Sequence, residues 1–237
     1  PDLVNLRPFY LPTYRTSPRS SLKVWTGVKL YDLLAGRRHP ARSRRVPRAV
    51  FTKQFPAMKR EGLRSVFRYA DGKTDDLALT CRVAEEARRQ GVRFLEHTEV
   101  AELVWDEGAI IVETEGGAFR SKTVVNATGP WIDEVVDRFG LPARYRIRKV
   151  SGIHLFLDGL LTAEPMFMQT REKRFFYYSR ARKRADPHRY DRAESAPVDA
   201  VEVREADVAY LLNEVNLYLT PEAQVRREDV REVSLGV

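Results

Sequence analysis

Val124-Val125-Asn126-Ala127-Thr128-Gly129-Pro130-Trp131 reads as a short buried strand running into a tight turn and then a helix. Lys122 to Asn126 forms the strand, with Thr123, Val124 and Val125 at positions suited to burial. Proline has its φ preset for the first turn of a helix and lacks only an amide that would be unpaired there, so Pro130 marks the helix start. Ile132, Val135, Val136 and Phe139 recur on one helical face, Asp133 and Glu134 suit the positive end of the helix dipole, and Gly140 ends the element. Gly129 carries no side chain to obstruct a ligand, and helix-start amides favour anions. The junction is a candidate cofactor contact, although an ordinary strand-turn-helix corner has the same pattern.

Upstream, Leu63, Val66 and Phe67 predict a short strand that ends near Asp71-Gly72. Thr74 can cap the next helix, with Asp75 and Asp76 in its first turn and Gln90-Gly91 as its stop. Leu77, Cys81 and Ala84 share one face of that helix, which makes Cys81 a small buried hydrophobe. Val92 to Leu95, Val100 to Trp105 and Ala109 to Val112 are short apolar runs that read as strands, with helix left open by period alone, the last two joined by a turn at Asp106-Glu107-Gly108. A further hairpin passes through Glu115-Gly116-Gly117. Helix, antiparallel excursion, buried strand and helix together give a mixed α/β domain.

Residues 1 to 20 are rich in proline, arginine and serine and read as loop. Leu22 to Ala35 places Val24, Val28, Tyr31 and Ala35 on one helical face, with Gly36 as a stop; Val50 to Arg64 is ambiguous. Downstream, Tyr145 to Leu157 reads as a strand or strand pair broken at Ser151-Gly152. Met166 to Met168 and Phe175 to Tyr178 add two strands joined through Arg171 to Arg174. Arg180 to Asp199 is highly charged, carries Pro187 and Pro197, and is expected to lack regular structure. Glu205 to Leu219 is an amphipathic helix bearing Val208, Leu211, Leu212 and Val215, and Gln224 to Val237 has no evident partner and looks cut off.

The 237 residues are 43% hydrophobic and 31% charged, an ordinary globular composition. The net charge of +8 gathers in two clusters, Arg37 to Arg48 and Arg180 to Arg189. Such patches suit nucleic acid, anionic lipid or a phosphorylated ligand, or simply a solvated basic surface. No zinc-ligand spacing or nucleic-acid-binding signature accompanies them, so no metal and no nucleic acid is expected. Cys81 alone excludes an internal disulfide and fits a reducing compartment. No apolar run reaches the roughly 18 residues a membrane helix needs. The opening Pro1-Asp2-Leu3-Val4-Asn5 lacks signal-peptide features and an initiator methionine, which hints at an internal start.

Four stretches carry a family resemblance. They are Trp25 to Arg38; Phe67-Arg68-Tyr69-Ala70-Asp71-Gly72-Lys73-Thr74-Asp75-Asp76-Leu77; Val125 to Trp131; and Ala209 to Asn216 with the later Arg227 to Val230. In this order they resemble the FAD-dependent, quinone-linked glycerol-3-phosphate dehydrogenases. The resemblance implies an α/β flavoprotein in which FAD lies in a Rossmann-like lobe and glycerol 3-phosphate is held by a mixed or antiparallel sheet lobe. It implies oxidation at C2 to dihydroxyacetone phosphate, with electrons passed to quinone. It also implies a cytoplasmic protein with peripheral attachment to the inner face of the membrane. By the same resemblance Val100 meets the adenosine part of FAD, Thr128 and Gly129 lie near its phosphates or ribityl chain, and His154 lies near flavin and substrate. A histidine there suits removal of the C2 hydroxyl proton, because imidazole titrates near neutral pH.

The departures are equally definite. The family's Gly-x-Gly-x-x-Gly loop, whose helix start holds the FAD diphosphate, is absent from these residues. Ser151-Gly152-Ile153-His154 replaces the family's lysine-glycine-serine-histidine, and the arginine-bearing continuation beyond Val237 is not present. The charged run after Tyr178 stands where the family carries a glycine-threonine-threonine-aspartate strand, and a local frame disruption between about Tyr178 and Asp199 would produce it. The expected layout is a loop-rich segment over residues 1–66, an incomplete FAD-binding lobe over 67–142 and a substrate sheet lobe over 143–237. Alone, the chain is expected to hold FAD weakly or not at all and to be inactive; a complementary chain or homo-oligomer would supply the remainder. Two other readings compete. One is another FAD-dependent amine or amino-acid oxidoreductase. The other is a silent scaffold for a phosphorylated ligand, an anionic membrane or a partner subunit.

Overall fold

The computed structural model describes residues 3–36, 41–157, 162, 164–181, 184–186, 190–193 and 196–237. The chain divides into two compact units: residues 1–75, 150–192 and 201–236 form the first, and 76–149 with 193–200 and Val237 form the second.

In the first unit the chain runs β1 (Val4–Tyr14), α1 (Ser21–Ala35), β2 (Arg44–Val46), α2 (Arg48–Gln54) and β3 (Leu63–Thr74). The second unit holds α3 (Asp76–Arg89), β4 (Val100–Asp106), β5 (Ala109–Thr114), β6 (Gly117–Ser121) and α4 (Ile132–Arg138). The chain then returns to the first unit with β7 (Val150–Leu157), β8 (Met166–Gln169), β9 (Phe175–Ala181) and β10 (Arg184–Asp186). β11 (Tyr190–Ala193), α5 (Glu205–Asn216) and β12 (Val230–Gly236) follow.

The first unit is built on a six-stranded sheet in the order β10-β9-β8-β1-β3-β2 and a three-stranded sheet in the order β11-β7-β12. β1 corrects the expected N-terminal loop: it pairs along its whole length with β3, antiparallel, from Val4↔Thr74 to Tyr14↔Leu63. Two prolines inside a central strand are tolerated because of where their missing donors fall. Tyr10 sends its N–H toward the Pro165 carbonyl at 3.0 Å, on the β8 side, where β1 and β8 pair only at Tyr10↔Met166. Pro8 and Pro12, two residues either way, therefore lack donors on the side where the ladder does not require them.

One face of this sheet packs on α2, α5 and β7 through Tyr10, Val66, Phe51, Phe55, Leu155 and Leu211, all inside one buried cluster. The other face packs on α1, where Val24 and Val28 meet Phe67. α1 starts one residue before the Leu22 read from sequence, because Ser20, read as loop, caps it by accepting from the Lys23 amide; Gly36, with φ of 55°, closes the helix as expected, in a conformation that a side chain would strain.

Three further expectations in this unit fail. Ser151-Gly152 does not break a strand pair; both residues lie inside β7. The tail after Gln224 has a partner, since β12 pairs antiparallel with β7 from Val230↔Leu157 to Gly236↔Gly152. The charged span 180–199 contains β10, which pairs with β9, and β11 at a sheet edge. Backbone pairing at an edge does not require buried side chains, so charge does not preclude it. Residues 182–183, 187–189 and 194–195 of that span, and Arg37 and Arg38 of the first basic cluster, lie outside the described residues.

In the second unit β4, β5 and β6 form an antiparallel meander, with Asp106↔Ala109 closing the expected turn. The buried strand expected over Lys122 to Asn126 does not form. Residues 122–127 join no sheet among the described residues, Val124 is exposed and Val125 is 80% exposed. A strand that is apolar on both faces persists only with neighbours to pair with it and layers to cover it, and no described strand runs beside this one. Val92, Phe94 and Leu95 are likewise exposed and non-strand. The same lack of cover corrects Cys81. α3 buries no residue, Leu77 is 75% exposed, and Cys81 is a free, exposed thiol.

Candidate functional site

The turn that opens α4 is braced by Asn126, a residue that sequence reasoning passed over. Its Nδ2 donates to the Ile132 carbonyl at 3.1 Å, while its Oδ1 accepts from the Thr128 amide at 3.3 Å and the Thr128 hydroxyl at 2.7 Å. The signal was present, because asparagine two residues before a turn commonly bonds its own backbone two positions on. Thr128 is thereby pinned at the mouth of the turn. Gly129 follows with φ of 60° and starts a short 3-10 turn, Gly129–Trp131, before the α-helix. A Cβ added at Gly129 would meet no atom within 4 Å, so the backbone there is open to an incoming group.

The helix is anchored on its far side. Glu134 accepts from the Val198 amide at 3.2 Å and Lys149 at 3.4 Å, and Asp133 accepts from the Ile147 amide at 3.1 Å. Arg146 donates to Asp137 at 2.6 Å, and this bond, ahead of the opposing effect of burial, lowers the Asp137 pKa. Val100 belongs to the same unit but to another element, the first position of β4, where it is half-buried and pairs with Thr114.

His154 lies in the first unit. Along β7 the side chains alternate: Ile153, Leu155 and Leu157 enter the buried core, while His154 and Phe156 are half-buried on the other face. Its register partner is Ser234 of β12. The imidazole is therefore excluded from the apolar core by strand parity and stands at a sheet surface.

On the α1 side of the large sheet the sequence also places an aromatic group. The ring centroids of Phe9 and Tyr69, and of Phe9 and Phe167, lie 5.5 Å apart, and Tyr31 meets Tyr69 edge-on at 5.7 Å. The Tyr31 hydroxyl donates to Asp71 at 3.4 Å. Burial, reinforced by Asp71, raises the Tyr69 hydroxyl far above the usual phenol range, so it remains a donor at any working pH. Among the described residues no group of three or more His, Cys, Asp or Glu could hold a metal ion.

The sequence profile of the family described as FAD dependent oxidoreductase matches residues 1–236. The chain belongs to that family. Among its similar proteins are the aerobic glycerol-3-phosphate dehydrogenases of Staphylococcus epidermidis, 27% identical, and Staphylococcus aureus, 26% identical; each alignment covers 96% of this chain and 42% of the relative. The chain thus spans less than half the length of the curated relatives it matches. Among solved structures, the FAD-complexed glycerol-3-phosphate dehydrogenase of Bacillus halodurans superposes with a TM-score of 0.76 at 17% identity, covering 99% of this chain and 44% of that one. Glycine oxidase from Geobacillus kaustophilus gives 0.68 at 17% identity, covering 99% of this chain and 60% of that one.

The fold is accordingly the α/β architecture of FAD-dependent oxidoreductases, as the sequence implied. FAD is the cofactor the family description names, and the turn at Thr128-Gly129 fits contact with it, since open space above a left-handed glycine lets a ligand approach bare backbone. The described residues fit only part of the group, because no Gly-x-Gly-x-x-Gly loop is present to hold a diphosphate.

Proposed function

We propose that this chain is the substrate-facing sheet and the distal part of the cofactor lobe of an FAD-dependent glycerol-3-phosphate dehydrogenase. The observation that carries this reading is similarity along 96% of the chain to proteins named aerobic glycerol-3-phosphate dehydrogenase. Thr128 and Gly129, with Asn126 bracing them, contact the phosphates or ribityl chain of FAD, and Val100 contacts the adenosine part. The bound flavin supplies a hydride acceptor. His154 takes the proton of the C2 hydroxyl, a role consistent with an imidazole held at the sheet surface rather than in the core. Quinone is the proposed onward acceptor of the electrons.

Contact with an anionic membrane surface belongs to the same reading. No described helix is long and apolar enough to cross a membrane. α1, however, is apolar on both sides: Val24 and Val28 face the sheet, while Leu22, Leu30, Leu33 and Leu34 point outward, the last two 75% and 78% exposed. Lys23 on that outward side and exposed Arg42 beyond it supply positive charge. An apolar helix face with a basic border is the pattern of an interfacial helix.

A second reading, an amino-acid oxidase, is favoured by the structural likeness to glycine oxidase. Dye-reduction assays with excess FAD, using glycerol 3-phosphate and glycine in separate arms, distinguish the two. The 237-residue chain is expected to turn over neither substrate, because misplacing a reacting group by about 1 Å costs about a hundredfold and the diphosphate loop is absent. A longer form that carries that loop is expected to oxidise glycerol 3-phosphate, and His154→Ala is expected to lower its rate by about 100-fold or more. Activity on glycine alone, or full activity of the His154→Ala form, would reject the assignment.

A further inference from the structure

We propose that Arg44 and Arg68 form an anion site that takes a phosphate group. Three neighbouring strands carry it. Arg44 of β2 is the register partner of Arg68 of β3, and Arg68 is the register partner of Tyr10 of β1. Strand parity puts these three side chains on one face of the sheet, in a row directly beside Val46 and Val66, which lie in the core. Arg45, one residue on, turns to the opposite face and donates to the Ser65 hydroxyl at 3.2 Å. The Tyr10 end of the row is fixed by Gln54 of α2, whose Nε2 lies 3.3 Å from the tyrosine hydroxyl.

What sets this row apart is what it lacks. Arg68 is half-buried, and its Nε is a buried donor with no hydrogen-bond partner. Among the described residues no carboxylate pairs with Arg68 or with Arg44, although Arg171, Arg120 and Arg227 each find one. Cross-strand partners place their Cβ atoms about 5 Å apart, and like charges at that spacing repel. A desolvated donor left unpaired costs more still. A dianion bound across the two guanidiniums relieves the repulsion between them. Phosphate fits better than carboxylate: it carries the second negative charge, and its oxygens accept from two planar forks together. The site stands whether or not glycerol 3-phosphate is the substrate.

The test uses the 237-residue chain at low ionic strength, titrated with inorganic phosphate, glycerol 3-phosphate and, as carboxylate control, acetate. Calorimetry and thermal melting read the binding. Phosphate should bind saturably and raise Tm, with acetate much weaker. Arg68→Gln should weaken phosphate binding by about tenfold or more, Arg68→Lys by less because charge remains without the fork, and Arg45→Gln not at all. Without phosphate, the Arg68→Gln chain should melt no lower than the parent, because one of two facing like charges is gone; this separates lost binding from lost folding. Equal affinity for phosphate and glycerol 3-phosphate means the phosphate group alone is read, and tighter binding of the ester means its glycerol part is contacted as well. No saturable phosphate effect, acetate binding as tight as phosphate, or unchanged affinity in Arg68→Gln would overturn the proposal.

Discussion

Arg171 holds Glu214 by two bonds: its backbone amide donates to Oε2 at 2.9 Å and its Nε to Oε1 at 2.7 Å. The carboxylate is completely buried on α5, whereas the guanidinium is 65% exposed at the turn between β8 and β9. The turn residue Lys173, with φ of 66°, completes that tight reversal.

The pair is asymmetric, and so are its variants. Arg171→Ala strands a buried carboxylate with only a backbone donor, a destabilising change that the solvent beside the arginine tempers. Glu214→Gln leaves an acceptor for the backbone amide and lets Arg171 hydrate, so its loss is expected near about 1–2 kcal/mol. Urea unfolding of both variants should rank Arg171→Ala as the more damaging. The reverse order would mean that the guanidinium does not neutralise the buried acid.

Asp32 ties α1 to the segment before β2. It accepts from the Ser43 amide at 3.1 Å, from the Ser43 hydroxyl, and from Lys29 at 3.0 Å. Burial pushes its carboxyl up, but the bonds from Ser43 and Lys29 together outweigh burial and hold the pKa below the ordinary value. A depressed folded pKa stabilises above the unfolded pKa, about 3.9, and that contribution disappears as pH falls through the folded value. Asp32→Asn should therefore cost about 1–2 kcal/mol at neutral pH and progressively less below about pH 4. A pH-independent difference would contradict the assignment.

Val125 tests whether the expected strand is present in this chain. At 80% exposure, Val125→Ser should change stability by less than about 0.5 kcal/mol. A buried valine would lose about 1.5 kcal/mol or more on losing its apolar surface. In a longer form with strands on either side, the same substitution should become costly.

Leu33 tests the membrane reading. Leu33→Glu places a charge on the outward side of α1, opposite Val24 and Val28, so the fold should survive. Co-sedimentation with vesicles containing anionic phospholipid should fall by about tenfold, since burying a leucine side chain contributes about 1.5–3 kcal/mol. Unchanged sedimentation, or binding to neutral vesicles as strong as to anionic ones, would remove α1 from the interface.

Local signals were legible wherever one element's own chemistry decides it. Gly36 ends α1, Asp106-Glu107-Gly108 turns β4 into β5, and the spacing of Val208, Leu211, Leu212 and Val215 places α5 on the core. The turn at Gly129 was legible too, because only a glycine sits easily at its φ. Asn126, which braces it, was missed; the same motif was read for its apolar strand and not for its side-chain bonds.

Sequence by itself determined the FAD-dependent oxidoreductase family and the α/β class, because these rest on ordered motifs; Val100, Thr128, Gly129 and His154 are candidates that the family resemblance supplies. Tertiary structure alone decided which apolar runs become strands. Val4–Tyr14, with two prolines and little periodicity, is a central strand because β3 and β8 lie beside it; Lys122 to Asn126, richer in strand-forming residues, is not, because nothing described lies beside it. A helix closes its hydrogen bonds within its own segment, but a strand borrows every one from a neighbour. Its existence is therefore a property of the neighbour as much as of its own residues.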